Sequence, residues 1–226
     1  MRKEKKNFIP AFGMLAAFSL WTAAVCSFDR AAIGPQGTTV GFAAINKSFH
    51  SFTGVHMPLY VITDLLSLVP LFCILGLGLL GLMQWIRRRS ILKVDRSLLL
   101  LGGFYLTVAA VYVLFEVLAV NYRPVLIEGR LEASYPSSTT MLVLCVMPTT
   151  AMQLRGRIKG RGTRRIASAA ISVFTVFMMA GRLVSGVHWL SDIVGGVLLS
   201  AGLVMLYSAF GKFERNKYQP SFRDNG

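Results

Sequence analysis

Six apolar stretches, separated by short clusters of Lys and Arg, constrain this chain more than any other feature. They cover residues 8–28, 57–86, 97–120, 139–154, 166–183 and 192–210. A run of about 20 apolar residues reads as a helix that spans a bilayer, because backbone groups in lipid must find partners within their own segment. A chain of 226 residues has room for six such helices and little else. The expected fold is therefore all-α, a polytopic membrane bundle of six transmembrane helices forming a single integral membrane domain over 1–226. Composition agrees: 54% of residues are hydrophobic and 15% charged, against about 25% charged in soluble domains. So apolar a chain is not a disordered one. A net charge of +14 would also suit a nucleic-acid binder. Here the bases sit between apolar runs, so the expected partners are membrane lipids and not nucleic acid. Cys26, Cys73 and Cys145 are scattered through apolar runs and fit no metal or redox spacing.

The basic prefix Met1–Lys6 imitates a signal peptide, but the apolar stretch behind it is longer than a signal core and no small-x-small cleavage site follows. It reads as an anchoring helix. Nineteen of the 24 Lys and Arg fall in the N-terminal tail, after the second and fourth apolar runs, or in the C-terminal tail. The remaining five, Arg30, Lys47, Arg123, Arg130 and Arg182, fall on the other side. The positive-inside rule then puts both termini in the cytoplasm, with a plasma (cell inner) membrane as the expected location. Three connections, 29–56, 121–138 and 184–191, face outside and carry all three histidines, His50, His56 and His188.

Three of the outer cations, Arg123, Arg130 and Arg182, stand at span ends, where charge is costly and is kept for pairing or function. A guanidinium suits multidentate phosphate recognition. His188 and Asp192 are four residues apart, which on a helix start places them on one face. An Asp that accepts from one ring nitrogen fixes the tautomer and leaves the other nitrogen as nucleophile or base. Arg182, six residues earlier, can hold the anion that His188 attacks. Pro136-Ser137-Ser138-Thr139 precedes the fourth run, where a helix N-terminus offers backbone N–H groups to an anion. Each piece also has a structural reading, as an interfacial His, a helix cap or plain capping hydroxyls. Asp64, inside the second run, is either part of a site or a partner for a neighbour such as Arg182. Trp189 and Tyr135 read as aromatic-belt anchors.

Together, Arg123-Pro124, Pro136-Ser137-Ser138-Thr139 and Arg182-x5-His188-x3-Asp192 resemble the three-part signature of the type 2 phosphatidic acid phosphatase superfamily. Its patterns are Lys-x6-Arg-Pro, Pro-Ser-Gly-His and Ser-Arg-x5-His-x3-Asp. The resemblance implies a membrane phosphatase acting on a lipid phosphate or a polyprenyl diphosphate. His188 would be the nucleophile that forms a phosphohistidine, Asp192 would orient it, and Arg182 and Arg123 would bind the phosphoryl oxygens. Ser137 and Ser138, with neighbouring backbone N–H groups, would complete the oxyanion cradle. No metal or other cofactor is implied, because arginines supply the positive charge.

Three positions depart from the pattern. Glu116 stands where the first motif has Lys, Gly181 where the third has Ser, and Thr139 where the second has the His that protonates the leaving oxygen. General acid catalysis contributes about 10²–10⁴-fold. Its loss weighs most on an alcohol leaving group and least on a phosphate, so a lipid diphosphate is the expected preference. Glu116, Glu128, Glu132 and His56 are candidate substitute acids. The competing expectation is a catalytically weak or inactive relative that binds or moves phospholipids. A small-solute transporter has little support, since neither repeat halves nor broken midplane helices can be seen.

Overall fold

The computed structural model describes residues 6–218, with backbone only for 215–218. The tail positions 1–5 and 219–226, on which part of the charge count rests, lie outside the described residues. Helices account for most of the rest: α1 Ile9–Ser27, α2 Ala43–Thr53, α3 Met57–Leu66, α4 Leu68–Arg88, α5 Arg96–Leu118, α6 Ser138–Arg157, α7 Arg161–Val184 and α8 Leu190–Tyr218. Among the described residues β pairing is limited to isolated bridges, so the all-α expectation holds.

Among the described residues, five segments are long and apolar enough to cross a membrane: α1, α3 with α4, α5, α7 and α8. Their outer faces stay apolar and exposed, as at Phe72, Leu75, Leu79, Leu106 and Val117. In water such surface would favour association; in lipid it is matched solvent. The protein is thus a multi-pass membrane protein by the character of its helices.

The sixth expected span, α6, differs from the other five. It is 20 residues long but carries Thr139, Thr140, Thr149, Thr150 and Gln153, and half its length is buried. It packs against α4, α5, α7 and α8 and is the centre of the bundle. One face joins Phe18 and Val25 of α1, Leu101 and Phe104 of α5, and Leu199 and Leu203 of α8 through Met141 and Cys145. The other face puts Val143 and Met147 against Met178 of α7, with Val69 of α4 behind. A helix walled by other helices has no need of uniform hydropathy, which is why its composition is the least lipid-like.

The second apolar run crosses as one 32-residue segment: α3 and α4 meet at Ser67, where φ −65° and ψ −14° keep the backbone right-handed. The connection 29–56 is not a plain loop. It contains α2, whose inward face carries Ala43 and the fully buried Asn46. The connection 121–138 folds back on itself. Tyr122 pairs with Ala133 and Ile127 with Arg130, across a turn in which Glu128 (φ 51°) and Gly129 (φ 75°) are both left-handed, as in a type I′ hairpin turn.

Candidate functional site

His188 sits in the short loop between α7 and α8 and is 3% exposed. The loop's geometry depends on close backbone approach. Gly186 has φ 70°, and a Cβ there would lie 2.0 Å from the carbonyl oxygen of Gly54. The loop is pinned by the Ser185 carbonyl, which accepts from His56 N–H at 2.9 Å, and by His50 Nε2, which meets the Gly186 carbonyl at 3.1 Å.

Arg123 Nη1 donates to His188 Nε2 at 3.2 Å. A guanidinium cannot accept, so Nε2 presents its lone pair and the ring proton resides on Nδ1. Nδ1 faces Asp192 Oδ2 at 3.9 Å, too long for a hydrogen bond. Burial pushes the imidazole pKa down to about 4; the Asp192 contact opposes the shift and the Arg123 charge adds to it. The ring is therefore neutral across the ordinary pH range.

The His–Asp pair does not lie on regular helix. His188 precedes α8, and Asp192 is the third residue inside it. Asp192 Oδ2 accepts the Trp189 N–H at 3.0 Å, the acidic half of a capping box, which suits the positive end of the helix dipole. Its Oδ1 accepts from Asn121 Nδ2 at 3.1 Å. Fully buried, Asp192 has both oxygens engaged.

Arg182 closes the other side. Its side chain is 1% exposed; Nη2 donates to Asp64 Oδ1 at 2.7 Å, while Nε and Nη1 are buried with no hydrogen-bond acceptor among the described residues. Tyr60 of α3 lies between the two guanidiniums, its ring centroid 4.9 Å from the Arg182 carbon and 6.0 Å from the Arg123 carbon. Arg123 Nε lies 2.9 Å from Glu132 Oε2, a paired distance at which its N–H nonetheless points off the carboxylate. Two buried cations thus flank one neutral imidazole, with donors to spare for an anion.

Ser137 caps α6, and its backbone N–H donates to the Asp192 carbonyl at 3.1 Å, so that amide is spent on fixing the α8 start. Its hydroxyl accepts from Thr140 Oγ1 at 3.0 Å. Ser138 and the buried Thr139 occupy the first turn behind it, where main-chain N–H groups have no intrahelical acceptor.

The sequence expectations scatter around this centre. Arg123, Arg182, His188, Asp192 and Ser137 converge. Arg130 and Glu128 stand exposed at the hairpin tip. Glu132 pairs with Arg123. Glu116 is exposed on α5 and lines a small cleft with Ser134, Pro136 and Ser138. His56 is exposed, its Nε2 at 2.8 Å from the Thr53 carbonyl. Trp189 and Tyr135 are not interfacial anchors: both are buried. Trp189 donates to the Tyr122 carbonyl at 2.7 Å, and the Tyr135 hydroxyl meets Thr22 Oγ1 at 2.7 Å.

Sequence reading missed Asn46, Asn121 and Tyr60. Asn46 holds the α8 start from α2: its Oδ1 accepts the Ser191 N–H at 3.1 Å and its Nδ2 donates to Ser191 Oγ at 2.9 Å. The available signals were an Asn directly after an apolar run, for Asn121, and a Tyr one helical turn before Asp64, for Tyr60. Asn46 offered none.

Residues 107–215 match the sequence profile of the PAP2 superfamily. A search of curated proteins finds no significant match. A transmembrane PAP2-type phosphatidylglycerolphosphate phosphatase from Bacillus subtilis has the same fold, at 18% identity and a TM-score of 0.61 over 94% of this chain and 98% of that one. The profile match takes in Arg123, Arg182, His188 and Asp192 together, and over that stretch the chain is similar to the PAP2 superfamily.

Proposed function

We propose that this protein is a membrane phosphatase that hydrolyses a lipid phosphate or a polyprenyl diphosphate, such as undecaprenyl diphosphate, at the outer face of the plasma membrane. The observation that carries the reading is the His188 Nε2 lone pair, directed at Arg123 with a second buried guanidinium, Arg182, close enough to depress the same imidazole. In this mechanism the phosphoryl group displaces Arg123 from Nε2 and takes the donors of both arginines. Nε2 attacks phosphorus in line, the P–O bond to the lipid breaks, and the leaving oxygen keeps the electron pair. Asp192 stabilises the imidazolium through Nδ1–H. Water then attacks phosphorus, the P–N bond breaks and phosphate departs. Ser138 and Thr139 N–H groups at the α6 N-terminus are suited to the phosphoryl oxygens. The headgroup enters sideways from the bilayer, and six spans with both termini in the cytoplasm put the site outside.

Thr139 supplies no proton to the leaving oxygen at ordinary pH, so a diphosphate, whose leaving group is itself a phosphate, is the preferred substrate. Phosphate release by the purified chain should be faster on a polyprenyl diphosphate than on phosphatidate. His188→Ala should abolish release, and acid-labile label from a radiolabelled diphosphate should be lost with it. Equal rates on both lipids would remove the substrate preference. Turnover by His188→Ala would remove the mechanism. A second reading, a relative that binds or moves phospholipids without turnover, draws on Thr139 and on the carboxylates that hold both arginines. It is the better reading if the wild-type chain binds lipid diphosphate, releases no phosphate and keeps that affinity in His188→Ala.

A further inference from the structure

A cavity of about 860 Å³ lies not at His188 but at the opposite end of the bundle, between α5, α6 and α8. Along α6 the two are about 25 Å apart by helical rise. Among the described residues its lining carries Arg96, Arg155, Arg157 and Lys212, against one carboxylate, Glu214. Arg96 and Glu214 stand 3.7 Å apart, which leaves the rim predominantly cationic.

The positive-inside bias accounts for the number of cations at this end but not for their convergence on one cavity. Arg155 and Arg157 in the last turn of α6 suit its dipole. Arg96, the first residue of α5, stands against its own helix dipole and is offset by Glu214 across the cavity. The cavity floor is built as well. Gln153 is buried; its Nε2 donates to the Ser97 carbonyl at 3.0 Å and to the Tyr207 hydroxyl at 2.7 Å. Its Oε1 accepts from Arg157 Nη1, which also donates to the Gln153 carbonyl at 3.0 Å. Arg157 is thereby held from below, with the rest of its fork left for an incoming group. Leu100 and Met152 give the same cavity an apolar flank.

A cationic rim over an apolar flank, of a size that holds small amphiphiles, fits a phosphoryl group carried on an apolar body. We propose that this cavity is a second phosphate site, distinct from the His188 centre, that takes the phosphodiester headgroup of an anionic phospholipid from the adjoining leaflet. The inference is independent of the proposed reaction. It draws on nothing at His188, and its test is run where that reaction is blocked.

The test is a thermal-shift titration of the full chain carrying His188→Ala, in detergent, with short-chain phosphatidylglycerol, phosphatidylcholine of the same chains, or inorganic phosphate. Phosphatidylglycerol should raise the unfolding midpoint saturably, at about tenfold lower concentration than phosphatidylcholine. Arg155→Gln with Lys212→Gln, both exposed at the rim, should move that half-effect at least about tenfold. Arg164→Gln with Arg165→Gln, an equal charge loss outside the cavity lining, should move it less than about twofold. If inorganic phosphate alone reproduces the saturable shift and loses it in the rim pair, the site stands with free phosphate as its ligand. Equal responses to both lipids with none to phosphate, or equal losses in the two variant pairs, would overturn it.

Discussion

His188 shows how a buried ring keeps a usable lone pair. Desolvation holds its pKa near 4, so no deprotonation step is needed before attack. If His188 is the nucleophile, kcat/KM should keep an acidic limb near pH 4 and not near the ordinary histidine value of about 6.5. A limb near 6.5 in pH–rate profiles would count against a buried, neutral nucleophile. The same shift couples to folding. Because the folded-state pKa lies below the unfolded one, the neutral ring's contribution is complete above about pH 6.5 and is lost as pH falls toward about 4. His188→Asn should flatten that part of the dependence of the unfolding midpoint on pH. Thr139 is the second residue of consequence. If it stands at the leaving-group position, Thr139→His should raise the rate on a phosphate monoester by about 10²-fold or more and on a diphosphate by much less. An equal effect on both substrates would place residue 139 elsewhere.

At the scale of elements, the site depends on how closely α3 and α7 meet. A Cβ on Gly181 would lie 2.6 Å from the Thr63 methyl, so a Ser there forces a shift, of the Thr63 side chain or of α7 and Arg182 with it. Gly181→Ser should cost about 1–3 kcal/mol, the usual range for overpacking, and should weaken phosphate binding as Arg182 leaves Asp64. Thr63→Ala, which removes the colliding methyl, should restore most of both losses. Failure of that rescue in thermal and binding measurements would show that Gly181 serves another purpose. The departure from the family pattern at this position is thus a packing consequence and was not legible without the partner helix. The long apolar helices were legible, because a span of uniform hydropathy needs no tertiary information. The helix α2 was not: AAINKSFHSFT is short and mixed, and what makes its inner face inward is a polar residue, Asn46, satisfied by Ser191 across 145 positions. Likewise Arg182, His188 and Asp192 announce themselves by spacing within a dozen residues, whereas Asn121 and Tyr60 show only by position and matter through contacts distant in sequence.

At the scale of the whole molecule, the two ends of the bundle carry opposite logic. The end with His188 has few cations, Arg123 and Arg182 buried and Arg30, Lys47 and Arg130 exposed; the other has many, most of the described ones exposed. A bilayer sorts such a chain by its exposed charge, so the crowded end should stay in the cytoplasm. The buried arginines then owe their place to the site and not to topology. Lys47 on α2 and Arg89 after α4 are both exposed and lie at opposite ends. With Cys26, the exposed native cysteine, replaced by Ser, a membrane-impermeant thiol reagent on intact cells should label Lys47→Cys and spare Arg89→Cys. Arg89→Cys should react only after permeabilisation. The reverse pattern would turn the site toward the cytoplasm. Its substrate would then have to be a lipid phosphate of the inner leaflet, and the 860 Å³ cavity would face the outside.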